Sequence, residues 1–183
     1  NGDGKINDDD QVPIGYSNFP EIMYGISLGG SYKNLDISLL FQGATHVSNM
    51  PSRRIMRGFY EYTGANRDLL KSWSYERFVN NQKIVYPRYG VNGVGHNYLT
   101  STYWLEDASY LRLKNVEVGY TFRQESLKKA GIGSIRIYVN GSNLLTWTDM
   151  LPGQDPEVAN AGVTNSEPYP VTRVFNFGLN VNF

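Results

Sequence analysis

The chain has 183 residues with 17 basic and 17 acidic side chains, no cysteine and a mean hydropathy of −0.41. The balanced charge provides no basic surface for nucleic acid, and the absence of cysteine excludes disulfides, thiolate zinc sites and thiol catalysis. The sequence contains no run of about 18 apolar residues, which a membrane-spanning helix would require. A membrane β-barrel is compatible with the composition, because its strands alternate lipid-facing and lumen-facing residues and keep the mean hydropathy low.

Two strands joined by a tight turn are predicted in the first quarter of the chain. Apolar residues recur at every second position from Ile22 to Tyr32, apart from Gly30, and from Leu35 to Phe41, which is typical of a strand with one apolar face. The two-residue break Lys33-Asn34 indicates a hairpin. The next 60 or so residues, Ala44 to Tyr103, lose this period, and only Asn66 to Phe78 could form a short helix.

Alternation returns in the second half of the chain and predicts three further strands. With the first two, the predicted strands lie near residues 21–32, 35–43, 104–122, 134–147 and 170–183. The third strand changes parity, because Leu111 and Leu113 lie at odd positions and Val116 at an even one. Either a β-bulge shifts the register, or the upper part of this strand leaves the membrane-like environment.

The connections between these strands alternate between short and long. Lys33-Asn34 and the helical turn predicted within Arg123 to Gly133 are short, whereas 44–103 and 148–168 are long. Outer-membrane barrels have short periplasmic turns and long extracellular loops. We therefore interpret residues 1–183 as an all-β, antiparallel, up-and-down segment of a transmembrane β-barrel, with residues 1–20, 44–103 and 148–168 as extracellular loops.

The first ten residues match a calcium-binding loop entered at its third position, with the required turn glycine at Gly4. The predicted ligands are side-chain oxygens and, at Lys5, a backbone carbonyl: Asn1, Asp3, Lys5, Asn7 and Asp10. A hard cation needs about six oxygens, and this spacing curls that many around one point. The alternative is a solvated turn of Asn, Asp and Gly, so calcium is a possible cofactor, and no other is indicated.

No residue pattern indicates catalysis. His46 and His96 are the only histidines, and neither has a His, Asp or Glu at metal-ligand spacing. The Gly-x-Ser-x-Gly sequence around Ser27 lies inside an alternating strand rather than at the strand-to-helix turn that a nucleophile requires. We therefore expect a protein that is not an enzyme, and a soluble calcium-stabilised β-domain that binds carbohydrate is the alternative to a membrane barrel.

Several short segments occur along the chain in one order: Asn1-Gly2-Asp3-Gly4-Lys5-Ile6, Ile14-Gly15, Pro20-Glu21-Ile22, Tyr24-Gly25-Ile26-Ser27, Tyr32-Lys33-Asn34-Leu35-Asp36, Phe41-Gln42-Gly43, Tyr110-Leu111-Arg112-Leu113-Lys114-Asn115, Gly119-Tyr120, Asn143-Leu144-Leu145-Thr146-Trp147, Asp155-Pro156-Glu157 and the final Phe183. As a set they resemble the C-terminal part of SusC/RagA-type TonB-dependent transporters. Each segment is weak alone, but together they span essentially the whole chain.

The resemblance implies an outer-membrane protein of Bacteroidota with a barrel of about 22 strands around a plug domain. Such proteins import glycans, oligosaccharides or peptides with energy relayed by TonB, and a SusD-like surface lipoprotein caps the barrel. The plug and the TonB box belong to the N-terminal region of the family and are not expected in these residues. Because about eight strands are the minimum for a closed barrel, the function belongs to a larger protein.

The last predicted strand also resembles the signal that the barrel-assembly machinery reads on outer-membrane proteins. Its apolar positions alternate up to the final aromatic ring: Phe175, Phe177, Leu179, Val181 and Phe183. The implied partners are therefore the assembly machinery, TonB, the lipoprotein, the substrate and the membrane, with no nucleic acid.

Overall fold

The computed structural model describes residues 2–5, 7–60, 64–65, 67–90, 95–151, 153–158 and 169–183. These residues form two compact units. The loop unit contains the residues before Gly15 together with Asn49–Glu106. The sheet unit contains Gly15–Ser48 and the described residues from Asp107 onward.

The strands assigned in the described residues are β1 (Ile22–Tyr32), β2 (Leu35–Thr45), β3 (Ser48–Asn49), β4 (Glu106–Asp107), β5 (Tyr110–Phe122), β6 (Ser134–Thr148) and β7 (Val174–Asn182). Five of them form one sheet in the order β1-β2-β5-β6-β7, and each neighbouring pair is antiparallel. β3 and β4 form a separate two-stranded sheet. The antiparallel all-β architecture predicted from the alternation is confirmed.

The helices are short. They are α1 (Arg53–Met56), α2 (Tyr75–Val79) and α3 (Glu125–Lys129), with 3-10 turns at Asp8–Asp10, Arg67–Lys71 and Gly95–Tyr98. Within the described ranges, no helix has the length and apolarity needed to cross a membrane. The possible helix between Asn66 and Phe78 is interrupted, because the backbone N–H of Trp73 donates to Tyr86 O at 2.8 Å. α2 begins after this pairing, with the Ser74 hydroxyl accepting from Arg77 N as its N-cap.

A β-bulge explains the change of parity in β5. The pairing of β2 with β5 shifts between Leu40 and Phe41, so that Leu40 lies opposite Asn115 and Phe41 opposite Leu113. Lys114 is therefore the extra residue. Beyond the bulge, Leu111 and Leu113 share a face with Val116, which confirms the first of the two explanations considered for this strand.

Two predicted strand boundaries were wrong. β5 begins at Tyr110 rather than near residue 104, because Trp104 lies in a turn where its N–H donates to Ser101 O at 3.1 Å. β7 begins at Val174 rather than near residue 170. Pro170 has no backbone N–H to pair, and the N–H of Val171 donates to the Asp155 side chain instead of to a strand.

The sheet unit has little interior of its own. A small buried cluster of Val47, Ala108 and Met150 lies near the ends of β2, β5 and β6. Elsewhere both faces of the five-stranded sheet carry exposed side chains.

Candidate functional site: the two faces of the sheet and its charge clusters

The five-stranded sheet has one apolar and one polar face. Directly opposed pairs continue the apolar face across all the strands, as in Leu28 with Leu39 and Val139 with Phe177. These side chains are exposed, with Leu28 at 53% and Phe177 at 70%. The opposite face carries small, amide and charged residues: Ser27, Asp36, Ser38, Gln42, Asn115, Glu117, Arg136, Asn140, Asn176 and Asn180. A two-faced sheet of this kind is the pattern of a membrane barrel wall.

A first charge cluster spans three strands on the polar face. Arg136 on β6 reaches across β5 and pairs with Asp36 on β2, where Arg136 Nε donates to Asp36 Oδ1 at 3.1 Å. The same guanidinium donates to Glu117 Oε1 on β5 at 2.7 Å. Gly119 lies below this side chain, and a Cβ there would collide with the guanidinium atoms. Because Gly119 has no side chain, Arg136 can cross β5 and connect β6 to β2.

A second charge cluster lies on β5 beside the bulge. We define the Arg112 cluster as Arg112, Lys114, Thr146, Asp155 and Glu157. The buried Arg112 donates to Thr146 Oγ1 at 2.9 Å, to Glu157 Oε2 at 2.6 Å and to Asp155 Oδ1 at 2.6 Å. Lys114 donates to Glu157 Oε1 at 2.5 Å. Two cations and two carboxylates thus neutralise one another where only 2% of the Arg112 side chain is exposed.

Asp155 also holds the backbone of its own loop. Its Oδ1 accepts from the N–H of Glu157 at 3.0 Å, and its Oδ2 accepts from the N–H of Val171 at 3.1 Å. The residue that follows Val171 is held independently, because Asn143 Nδ2 donates to Thr172 O at 3.0 Å. In the β6–β7 connection, Asp155 on one side and Val171 and Thr172 on the other are therefore all attached to the sheet.

The loop unit is organised around Trp104. Its ring packs against Tyr86, Tyr98 and Tyr103 with centroid distances of 5.9, 6.1 and 5.0 Å, and its Nε1 donates to Asn97 O at 2.8 Å. Burial raises the pKa of Tyr86, and the carboxylates of Asp68 and Glu106 raise it further. Burial also raises the pKa of Tyr98, although Arg57 opposes the shift from 4.2 Å above that ring. This packing takes Trp104 out of the predicted strand.

The predicted calcium ligands form a series of local turns. Asp3 Oδ1 accepts from Lys5 N at 2.7 Å, and Asp10 Oδ2 accepts from Asn7 N at 3.1 Å. Gly4 adopts the left-handed φ of 76° that the predicted turn requires. Asn1 lies outside the described residues. Across the part of the chain that the structure describes, no group of three or more His, Asp or Glu is placed to hold a metal, and calcium binding stays a prediction.

The residues of the predicted assembly signal lie together on the apolar face. Phe175, Phe177, Leu179 and Val181 point to one face of β7, opposite Gly141, Val139, Ile137 and Ile135 of β6, and Phe183 follows the strand. Recognition by an assembly machinery stays a prediction.

The Arg112 cluster was missed by residue-level reasoning from the sequence. Arg112 lies 34 positions before Thr146 and 43 before Asp155, and no short spacing in the sequence connects these residues. A signal was nevertheless present, because Tyr110–Asn115 and Asp155–Glu157 are two of the segments that carry the family resemblance. One segment is basic and the other acidic, and the structure brings them together.

No family model matches the chain. It is 34% identical over 194 aligned residues to TonB-dependent receptor P26 of Formosa agariphila and 33% identical over 194 to TonB-dependent receptor P3 of that organism. It is 26% identical over 190 residues to TonB-dependent receptor SusC of Bacteroides thetaiotaomicron. All of this chain is covered in each comparison, but it spans only 19%, 18% and 17% of the relatives.

Solved structures give the same result. The chain superposes on the RagAB peptide importer in its open-open state with a TM-score of 0.71 and in its closed-closed state with 0.72, at 27% identity in both. Each superposition covers 98% of this chain and 19% of the other. Since the similarity in sequence and in structure extends over essentially all 183 residues, the chain belongs to the SusC/RagA family of TonB-dependent β-barrel transport proteins and corresponds to about a fifth of its relatives' length.

Proposed function

We propose that the chain forms the C-terminal part of the wall of an outer-membrane import barrel. The observation that carries this proposal is the five-stranded meander with one continuous apolar face and one polar face, neither of which is packed against a layer of the sheet unit. In water, an apolar surface of this extent would promote aggregation. Against lipid it is the expected outer surface of a barrel, while the polar face lines the lumen.

The outer edges of β1 and β7, unpaired within the described residues, are evidence that the sheet is part of a larger barrel. β1 and β7 each pair with a single strand among those described. In hydrocarbon, each unpaired backbone N–H or C=O costs several kcal/mol, so further strands must pair with both edges. The exposed apolar face also argues against the soluble carbohydrate-binding alternative, which requires that face to be buried.

The proposed activity is TonB-dependent import of glycans, oligosaccharides or peptides together with a SusD-like surface lipoprotein. Family membership supports it, and the RagAB relatives are named peptide importers. In this arrangement Asp36, Glu117 and Arg136 face the lumen. Residues 44–103 and 148–168, which the sequence predicts to be extracellular loops, would lie at the extracellular mouth. None of these roles requires a catalytic residue.

The apolar residues of β7 and Phe183 would serve as the signal for the barrel-assembly machinery. Phe183→Ala should lower the amount of protein in the outer membrane several-fold, whereas Asn182→Ala, one position away on the polar face, should not. Equal amounts of the two variants would remove this part of the proposal.

Cysteine labelling tests the membrane topology directly, because these 183 residues contain no cysteine. Glu76→Cys in α2 and Lys129→Cys in α3 introduce exposed thiols on the long and the short connections. In intact cells a membrane-impermeant maleimide should label position 76, and it should label position 129 only after the outer membrane is permeabilised. Labelling in the reverse order, or recovery of the protein in the soluble fraction, would overturn the proposal.

A further inference from the structure

The β6–β7 connection returns to the sheet through two consecutive residues, and each of them is held by a side chain. Val171 is held through its N–H by Asp155, and Thr172 through its carbonyl by Asn143. Asn143 adopts a left-handed φ of 56° where β6 and β5 are out of register, between Leu145 and Ser142. The backbone leading into β7 is therefore fixed at two points before its first ladder residue, Val174.

Asp155 is itself positioned from the other side. Arg112 donates to Asp155 Oδ1 and is anchored on β6 through Thr146, so its guanidinium connects β5, β6 and the loop. The two oxygens of Asp155 have different tasks: Oδ1 faces Arg112, while Oδ2 accepts from Val171. A planar guanidinium donates in fixed directions, and therefore Arg112 sets the orientation of the carboxylate that holds Val171.

We propose that Arg112 and Asp155 act as a strap that holds Val171 against the polar face of the sheet and aligns the start of β7. Arg112 is a positioning residue that acts on Val171 through Asp155, and Asn143 provides the second attachment. The strap keeps Val171 and Thr172, the residues that lead into β7, in a fixed position on the sheet. It depends on contacts within the sheet unit and is independent of which molecule the barrel transports.

Hydrogen exchange of the full-length protein in outer-membrane vesicles tests the strap. Asp155→Asn is the main variant, because an amide has one acceptor oxygen and cannot serve Arg112 and Val171 together. Arg112→Met removes the positioning group. Lys114→Met is the matched control, since Lys114 is a cation of the same cluster that bonds only Glu157 among the contacts described.

The expected result is that exchange across Val171–Arg173 accelerates about tenfold in Asp155→Asn and in Arg112→Met, and changes less than about twofold in Lys114→Met. Arg112→Lys should be intermediate, because an ammonium cannot present two fixed donors to two carboxylates. Exchange of the β1–β2 hairpin reports whether each variant is folded and should not change.

Three results would overturn the strap. One is unprotected exchange at Val171 in the unmodified protein. Another is unchanged exchange in folded Asp155→Asn. The third is an equal effect of Lys114→Met and Arg112→Met. If Arg112→Met does not assemble, Arg112→Lys and Asp155→Asn decide the question.

Discussion

Gly119 of β5 lies directly beneath the guanidinium group of Arg136 on β6. This relationship lets Arg136 cross an entire strand and reach Asp36 on β2, while it also bonds Glu117 on β5. Any side chain at position 119 would occupy the path of the arginine. One missing methyl group thus permits an ionic connection among three neighbouring strands.

Gly119→Ala should therefore destabilise the barrel. The new Cβ overlaps the Arg136 guanidinium, so this flexible end must move and its partly exposed ion pairs with Asp36 and Glu117 weaken, at a cost of up to about 1 kcal/mol. The temperature at which the folded protein loses its heat-modifiable gel mobility measures the loss. Gly29→Ala is the control, because its Cβ would meet only Ile37 O at an ordinary 3.7 Å. Equal effects of the two changes would contradict this account.

The assignment of the two faces predicts opposite outcomes for adjacent positions in β2. Leu39→Arg places a charge on the apolar face near mid-strand, where the expected cost in lipid is about 2–4 kcal/mol. Ser38→Arg places the same charge on the polar face, opposite Glu117, and should be tolerated. Urea unfolding in lipid vesicles compares them. A tolerated Leu39→Arg would show that this face does not contact hydrocarbon.

Two tyrosines of the loop unit should respond differently to removal of the hydroxyl. Tyr103 Oη donates to Val85 O at 2.6 Å, so Tyr103→Phe should cost about 0.5–1.5 kcal/mol. The buried Tyr86 hydroxyl has no hydrogen-bond partner within the described residues, so Tyr86→Phe should be neutral or stabilising. Resistance of the loop unit to a protease measures both. The reverse ranking would contradict the described contacts.

Buried tyrosines also predict how alkaline pH acts on the loop unit. The pKa values of Tyr86 and Tyr98 are raised from 10.0 by burial, so the folded unit keeps protons that the unfolded unit loses. Ionisation of these two tyrosines does not affect the stability of the loop unit below pH 10. As the pH rises above 10 toward their raised pKa values, the stability of the folded unit falls. Protease resistance measured across this range should decline less steeply in Tyr86→Phe. An identical decline in both proteins would show that Tyr86 does not contribute.

The calcium prediction is tested by titration of the full-length protein. A loop with these ligands would bind calcium with a dissociation constant on the order of 0.1–1 mM, typical of extracellular modules. Asp10→Ala removes a predicted ligand and should abolish binding, whereas Asp9→Ala removes an equal charge that is not a predicted ligand. Calorimetry, with chelator present and absent, gives the result. Binding that survives Asp10→Ala, or no binding at all, would refute the predicted ligand set.

The strands could be predicted because their information is local. Alternation with a period of two reports which residues share a face, and it located β1 and β2 and the faces of β7 without knowledge of any partner. The same alternation predicted the tight turn at Lys33-Asn34, and Lys33 adopts a left-handed φ of 56° there. The change of parity in β5 signalled an irregularity whose nature the sequence left open.

The remaining features depend on contacts between distant residues. Trp104 continues an apparent strand in the sequence, yet it packs with tyrosines of the loop unit, and β5 begins only at Tyr110. Asp36 and Arg136 are 100 positions apart, and Asp155 and Arg112 are 43 apart. No local pattern relates such pairs.

The amino-acid sequence by itself determined the strand periods, the order of short and long connections and the resemblance to a transporter family. Only the tertiary structure decided where the bulge falls, which glycine accommodates Arg136, and that Arg112 orients the carboxylate holding Val171. The physical reason is that strand alternation follows from the backbone repeat of single residues. Ion pairs and packing contacts instead require the register of several strands to be set first.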